Sequence, residues 1–179
     1  MQNLLATISH PVGKIEVEEL ASNEHISSLD LINLSFHNDQ QVGFRAAWIL
    51  ERIYSNHQTR FLPFAAHFLA ELPKQRNLSA LRHYVKILAF MTHKNAALEI
   101  RVLLENYDTD CIVEVVFAWL IDQKIPVAVK SHCLNILANL TTKHAWVKNE
   151  LIETMEFLID QESIAFFAKV KQIRKQLEK

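Results

Sequence analysis

Glycine and proline are scarce in this chain of 179 residues, at 2 and 4 respectively, and that scarcity excludes more than any motif establishes. With only Gly13 and Gly43 there is no glycine-rich phosphate loop and no Gly-x-Ser-x-Gly nucleophile elbow. Long loops and strand-rich turn networks need both residue types, so helices joined by short turns are expected instead. Cysteine is equally sparse. Cys111 and Cys133 share no metal-ligand spacing and fall in apolar helical runs, the pattern of buried free thiols in a reducing compartment. No apolar run reaches the length of about 18 residues that a membrane helix needs, and residues 1–14 lack a basic region leading into a long apolar segment. An excess of one charge is missing too: a formal net charge of −1 argues against a surface built throughout for nucleic acid or anionic lipid. The reading is a soluble cytoplasmic protein that does not engage membranes.

What is present is apolar periodicity. The chain is 50% hydrophobic, enough to bury a sizeable core, and is read as one domain over 1–179. The organising stretch is 38–55. Asn38 and Gln41 read as an N-cap and its capping-box partner, and Val42, Ala46, Ile49, Leu50 and Ile53 then recur at helical spacing. Phe44, Ala47 and Trp48 lie on the other side, interleaved with Arg45, Glu51 and Arg52. A helix with apolar residues on two sides is sandwiched between neighbours.

Further helices are expected over 3–9, 15–21, 24–36 (capped by Ser22 or Asn23), 61–72, 78–92, 95–107, 111–122, 127–141, 143–159 (capped by Thr142) and 162–178. Pro63 is placed in a first turn, where a missing donor is tolerated, and Pro126 opens the helix that follows it. The β-branched run Ile112-Val113-Glu114-Val115-Val116 has strand propensity, but a lone strand would have no partner, so it is read as helix.

An apolar residue followed by a basic one recurs as Phe44/Arg45, Leu81/Arg82, Val129/Lys130 and Ala168/Lys169, with spacings of 37, 48 and 39 residues. Such spacing belongs to helical solenoids. Residues 38–178 resemble the HEAT-repeat family, in which the first helix of each unit carries that pair with an Asp six positions before the basic residue. Asp39 and Arg45 match the whole pattern, whereas the later units keep only the basic residue. The resemblance implies an all-α, HEAT/armadillo-like right-handed α-solenoid of about 8–10 helices, with 1–37 as an N-terminal cap.

Arg45-Ala46-Ala47-Trp48-Ile49-Leu50-Glu51, Phe117-Ala118-Trp119-Leu120-Ile121, Val127-Ala128-Val129-Lys130-Ser131 and Trp146 also look like a group of small bacterial proteins sometimes labelled adenylosuccinate lyase. The signature loop of true lyases has a Met-Pro element, and Met1, Met91 and Met155 are never followed by proline.

No two of the 9 histidines sit at i, i+3 or i+4 on one helix, so no metal site and no cofactor are expected. Trp119 and Trp146 have aliphatic companions at helical spacing and read as packing residues. Trp48 is the weakest core residue of the three: it either packs against the next unit or lines a groove. Charge is zoned. Residues 43–94 carry eight bases against Glu51 and Glu71, and 95–122 carry Glu99, Glu105, Asp108, Asp110, Glu114 and Asp122 against Arg101. The leading expectation is a non-enzymatic interaction module for a protein or peptide, with Arg45, Trp48, Arg82 and Lys130 bordering one face that takes an acidic partner. The alternative is a DNA-binding protein related to the HEAT-like alkylpurine DNA glycosylases, which would need a basic face, a central aromatic and a carboxylate beside it.

Overall fold

In the computed structural model, which describes residues 2–178, helices account for nearly all of the regular structure, and no strand occurs among the described residues. The chain forms two compact units, 1–87 and 88–179, with the boundary falling inside a helix.

In the first unit, α1 (Gln2–Ser9), α2 (Lys14–Ser22) and α3 (Ser28–Leu34) pack on α4 (Gln40–Asn56). α4 is therefore covered on several sides, as its two apolar faces require. Its cap is Asp39 rather than Asn38: the Asp39 carboxylate accepts from the amides of Gln41 and Val42, where it also meets the positive end of the helix dipole. α3 likewise starts later than the 24–36 expectation, because the Ser27 hydroxyl, and neither Ser22 nor Asn23, accepts from the Leu29 amide. Gly43 is the one glycine that packing demands. A Cβ there would lie 2.9 Å from the Ser35 carbonyl oxygen and 3.0 Å from Asn77 Nδ2, so α4 approaches the end of α3 more closely than a side chain allows.

The helix expected over 61–72 begins earlier and is broken by its prolines. It runs as α5 (Gln58–Phe61), a 3-10 turn (Leu62–Phe64), α6 (Ala65–Glu71) and a second 3-10 turn (Leu72–Lys74). Pro63 and Pro73 each lack the amide that would continue the α pattern, and the chain tightens to 3-10 at both. α7 (Leu78–Met91) follows, capped by Asn77, whose side-chain oxygen accepts from Ser79 and Ala80 while its amide donates to the Gln40 carbonyl.

The core of this unit is aromatic. Ring centroids of Tyr54 and Phe61, Phe61 and Phe68, and Phe68 and Tyr84 lie 5.0, 5.3 and 4.7 Å apart. The buried Tyr84 hydroxyl meets Ser35 Oγ at 2.5 Å, and burial pushes its ionisation well above the ordinary tyrosine range.

The second unit contains α8 (Leu98–Asn106), α9 (Asp110–Ile121), α10 (Val127–Leu140), α11 (Ala145–Ile159) and α12 (Ile164–Leu177). Here α10 is the central helix, packed against α9, α11 and α12. Residues 112–116 are helical, as expected, and Trp119 is buried at 7% exposure. α8 starts after the expected position, and α11 is preceded by His144 rather than capped by Thr142, whose hydroxyl donates back to the Asn139 carbonyl. Ser163 caps α12 by accepting from the Phe166 amide. Cys133 is buried as expected, but Cys111 is exposed: the N-terminal turn of α9 turns that position away from the Ile112, Val113 and Val116 stripe.

A repeat-length periodicity appears in the hydrogen bonds themselves. Arg60 donates to the carbonyls of Ala21 and Asn23 at the end of α2 and of Ile26 in the turn that follows, and Lys143 donates to those of Leu104, Glu105 and Tyr107 at the end of α8. Helix ends leave their last carbonyls without intrahelical partners, and a cation one repeat later satisfies them. Two imidazole–hydroxyl contacts share the spacing: His57 with Ser22 and His144 with Thr109, each pair 35 residues apart.

Candidate functional site

The four basic and aromatic residues that the sequence groups together meet different fates. Arg45 is buried at 9% exposure, and its guanidinium donates to the Ile8 and Ser9 carbonyls at the end of α1. Lys130 is buried at 1% and ion-paired with Glu162. Neither can border an open face, because each faces a neighbouring helix end or loop inside its own unit; the stripe is corrected to that extent. The two residues that match the repeat pattern have separate partners: Asp39 caps α4, and Arg45 points to α1.

Trp48 and Arg82 remain. Trp48 is half-buried and lies flat against Phe44 at 5.7 Å, with 27° between planes, and against His83 at 6.3 Å and 19°. α4 supplies the first two rings four residues apart, and α7 supplies the imidazole. Arg82, the residue before His83, is exposed.

Beneath the rings is a charged cluster. Glu51, one turn after Trp48, is 4% exposed; its two carboxylate oxygens accept from His83 Nδ1 and Lys86 Nζ, each at 2.5 Å. Burial opposes ionisation of Glu51, yet the bonds from His83 and Lys86 outweigh it and hold the carboxyl below the ordinary carboxylate value of 4.5. The other charged neighbour on α4, Arg52, is 2.7 Å from Glu18. Trp48 is thus stacked on a ring whose imidazole is held by Glu51, and the exposed Arg82 precedes that histidine in α7.

Phe44, Glu51, His83 and Lys86 were not singled out together from the sequence. The available signal was spacing: His83 and Lys86 follow Glu51 by 32 and 35 residues, about one repeat, so α7 comes back alongside α4. No group of three or more His, Cys, Asp or Glu able to hold a metal occurs among the described residues. No helix there is long and apolar enough to cross a membrane.

The family model that matches the chain is that of a HEAT repeat domain, over residues 3–177. The match takes in the helices before residue 38 as well as those after it. No curated protein and no solved structure matches the chain.

Proposed function

The chain belongs to the HEAT repeat domain family, and we propose on that premise that it is a non-enzymatic interaction module whose Trp48–Arg82 face takes an acidic protein or peptide segment. The observation that carries this reading is the presentation of Trp48. It sits half-open on a stack of Phe44 and His83, with His83 held by the buried Glu51 and preceded in α7 by the exposed Arg82. A rigid aromatic anchor with one cation at its rim suits a carboxylate-bearing segment with an apolar side chain. The location proposed is the cytoplasm, in keeping with the free thiols of Cys111 and Cys133.

The DNA-glycosylase reading has less support. Glu51, one turn after Trp48, is buried and already bonded to two basic groups, and two of the three expected bases, Arg45 and Lys130, are inside the protein. Titration of a glutamate-rich peptide and of a DNA duplex at two salt concentrations separates the two. Saturable peptide binding that weakens on Arg82→Glu, with an unchanged melting temperature, supports the module. Tight duplex binding with a steep salt dependence overturns it. Fumarate release from adenylosuccinate that survives rigorous purification would overturn the non-enzymatic reading.

A further inference from the structure

The second unit carries an aromatic surface of opposite charge. Along α9, Asp110, Glu114, Phe117 and Ile121 follow at i, i+4, i+7 and i+11, a spacing that keeps them on one side of the helix. The opposite side, with Ile112, Val113, Val116 and Leu120, is buried. From α11, Trp146 lies over Phe117 with centroids 5.9 Å apart and planes at 25°, yet Trp146 remains 52% exposed, as does Ile121. Glu150, one turn after Trp146, is exposed as well.

Of the cations near this face in sequence, Lys148, two residues after Trp146, lines a groove with Ile152, Glu156 and Arg174. Lys143, one turn before Trp146, has its ammonium on the carbonyls of Leu104, Glu105 and Tyr107, and the Asp110 carboxylate, 72% exposed, has only His144 at 3.3 Å. Stacked rings left open to solvent and edged by Asp110, Glu114 and Glu150 offer an apolar contact and a negative field together. That combination attracts a guanidinium or ammonium by cation–π and ion-pair contact, and rejects a carboxylate.

We infer that the face formed by Asp110, Glu114, Phe117, Ile121, Trp146 and Glu150 is a docking surface for a cationic amphipathic segment of a partner protein, its basic side chains against the carboxylates and its apolar ones against Trp146 and Ile121. Charge complementarity selects this occupant. The inference does not depend on the Trp48–Arg82 face, whose residues all lie in the other unit.

The test is calorimetric titration of the full chain with a synthetic peptide of arginine and leucine at helical spacing, and with its counterpart carrying glutamate for arginine. The arginine peptide is expected to bind saturably with an affinity that Glu114→Lys lowers, and any binding of the glutamate peptide, which belongs to the Trp48–Arg82 face, is expected not to be weakened by Glu114→Lys. Trp146→Ala is expected to weaken binding at least about tenfold, as loss of an aromatic anchor does. Glu114→Lys, which alters only an exposed side chain, is expected to weaken it comparably with the melting temperature unchanged, and this variant decides the matter if Trp146→Ala folds poorly. The inference is overturned if the arginine peptide does not bind, if Glu114→Lys weakens binding of the glutamate peptide as much as that of the arginine peptide, or if Glu24→Lys in the first unit weakens binding as much as Glu114→Lys. It is equally overturned if sedimentation shows self-association that Glu114→Lys abolishes, since a second copy would then be the occupant.

Discussion

The two units are built around equivalent helices, α4 and α10, but solve the same packing problem with different materials. Both helices bury a basic residue at the repeat position that follows an apolar one. Arg45 spends its donors on two carbonyls of α1, whereas Lys130 is matched by a single carboxylate, Glu162. Around them, the first unit packs interlocked rings from Tyr54 to Tyr84, and the second packs aliphatic side chains such as Val116, Leu120, Leu134, Leu137 and Leu151. The outer surfaces differ in the same sense. Most of the exposed large apolar side chains, among them Leu98, Ile121, Trp146, Phe157 and Ile164, belong to the second unit. A guanidinium with five donors can be satisfied by backbone alone, while a buried ammonium needs a counter-charge. The second unit is therefore expected to be the more easily broken at its charged centre.

Glu162→Gln is the most direct way to break the comparison. It leaves the Lys130 ammonium buried without its carboxylate and should cost about 3–5 kcal/mol, measured by urea unfolding. Combining it with Lys130→Met should restore most of that loss; if the double variant is as unstable as the single one, the pair is not what holds α10. Trp119→Ala, which removes a side chain only 7% exposed, should cost a similar amount of about 3–5 kcal/mol through lost burial and a cavity. A melt within a few degrees of the parent would show that α9 contributes little to the second core.

In the first unit, Glu51→Gln should cost about 1.5–3 kcal/mol at neutral pH, since charged hydrogen bonds from His83 and Lys86 are weakened. Its pH dependence carries a sign. Because the folded-state pKa of Glu51 lies below 4.5, its stabilisation is present above that value and is lost as pH falls through the folded value. The melting temperatures of wild type and variant should therefore converge in acid; a constant gap across the range would remove Glu51 from the charged cluster with His83 and Lys86. Gly43→Ala should cost about 1–3 kcal/mol by forcing α4 away from the Ser35 carbonyl. The smallest effect belongs to Arg82→Glu, expected to change stability by no more than about 1 kcal/mol because the side chain is exposed. Unfolding by that substitution would place Arg82 with Arg45 as a structural cation and dissolve the proposed face.

Much of this was legible in the chain. Periodic Val, Ile and Leu positions identify α4, α7, α9 and α10 to within a residue or two, because an apolar stripe at 3.6-residue spacing has no other way to leave water. Caps were less legible. Asn38 and Asp39 are both good capping residues, as are Ser22, Asn23 and Ser27, and only the path of the backbone into the helix selects Asp39 and Ser27.

The basic residues mark the boundary between what sequence and tertiary structure each determine. Helical spacing says that Arg45, Arg82 and Lys130 occupy corresponding positions, and this is correct as periodicity. It cannot say which side of a helix is covered, since that depends on segments about one repeat away: the end of α1 beside Arg45, and Glu162 beside Lys130. Periodicity, composition and the scarcity of glycine and proline determined an all-helical repeat protein. Tertiary packing alone decided that two of its aligned cations became structural while Arg82 stayed in solvent, because burial of a charge is settled by the partner groups that arrive from distant parts of the chain.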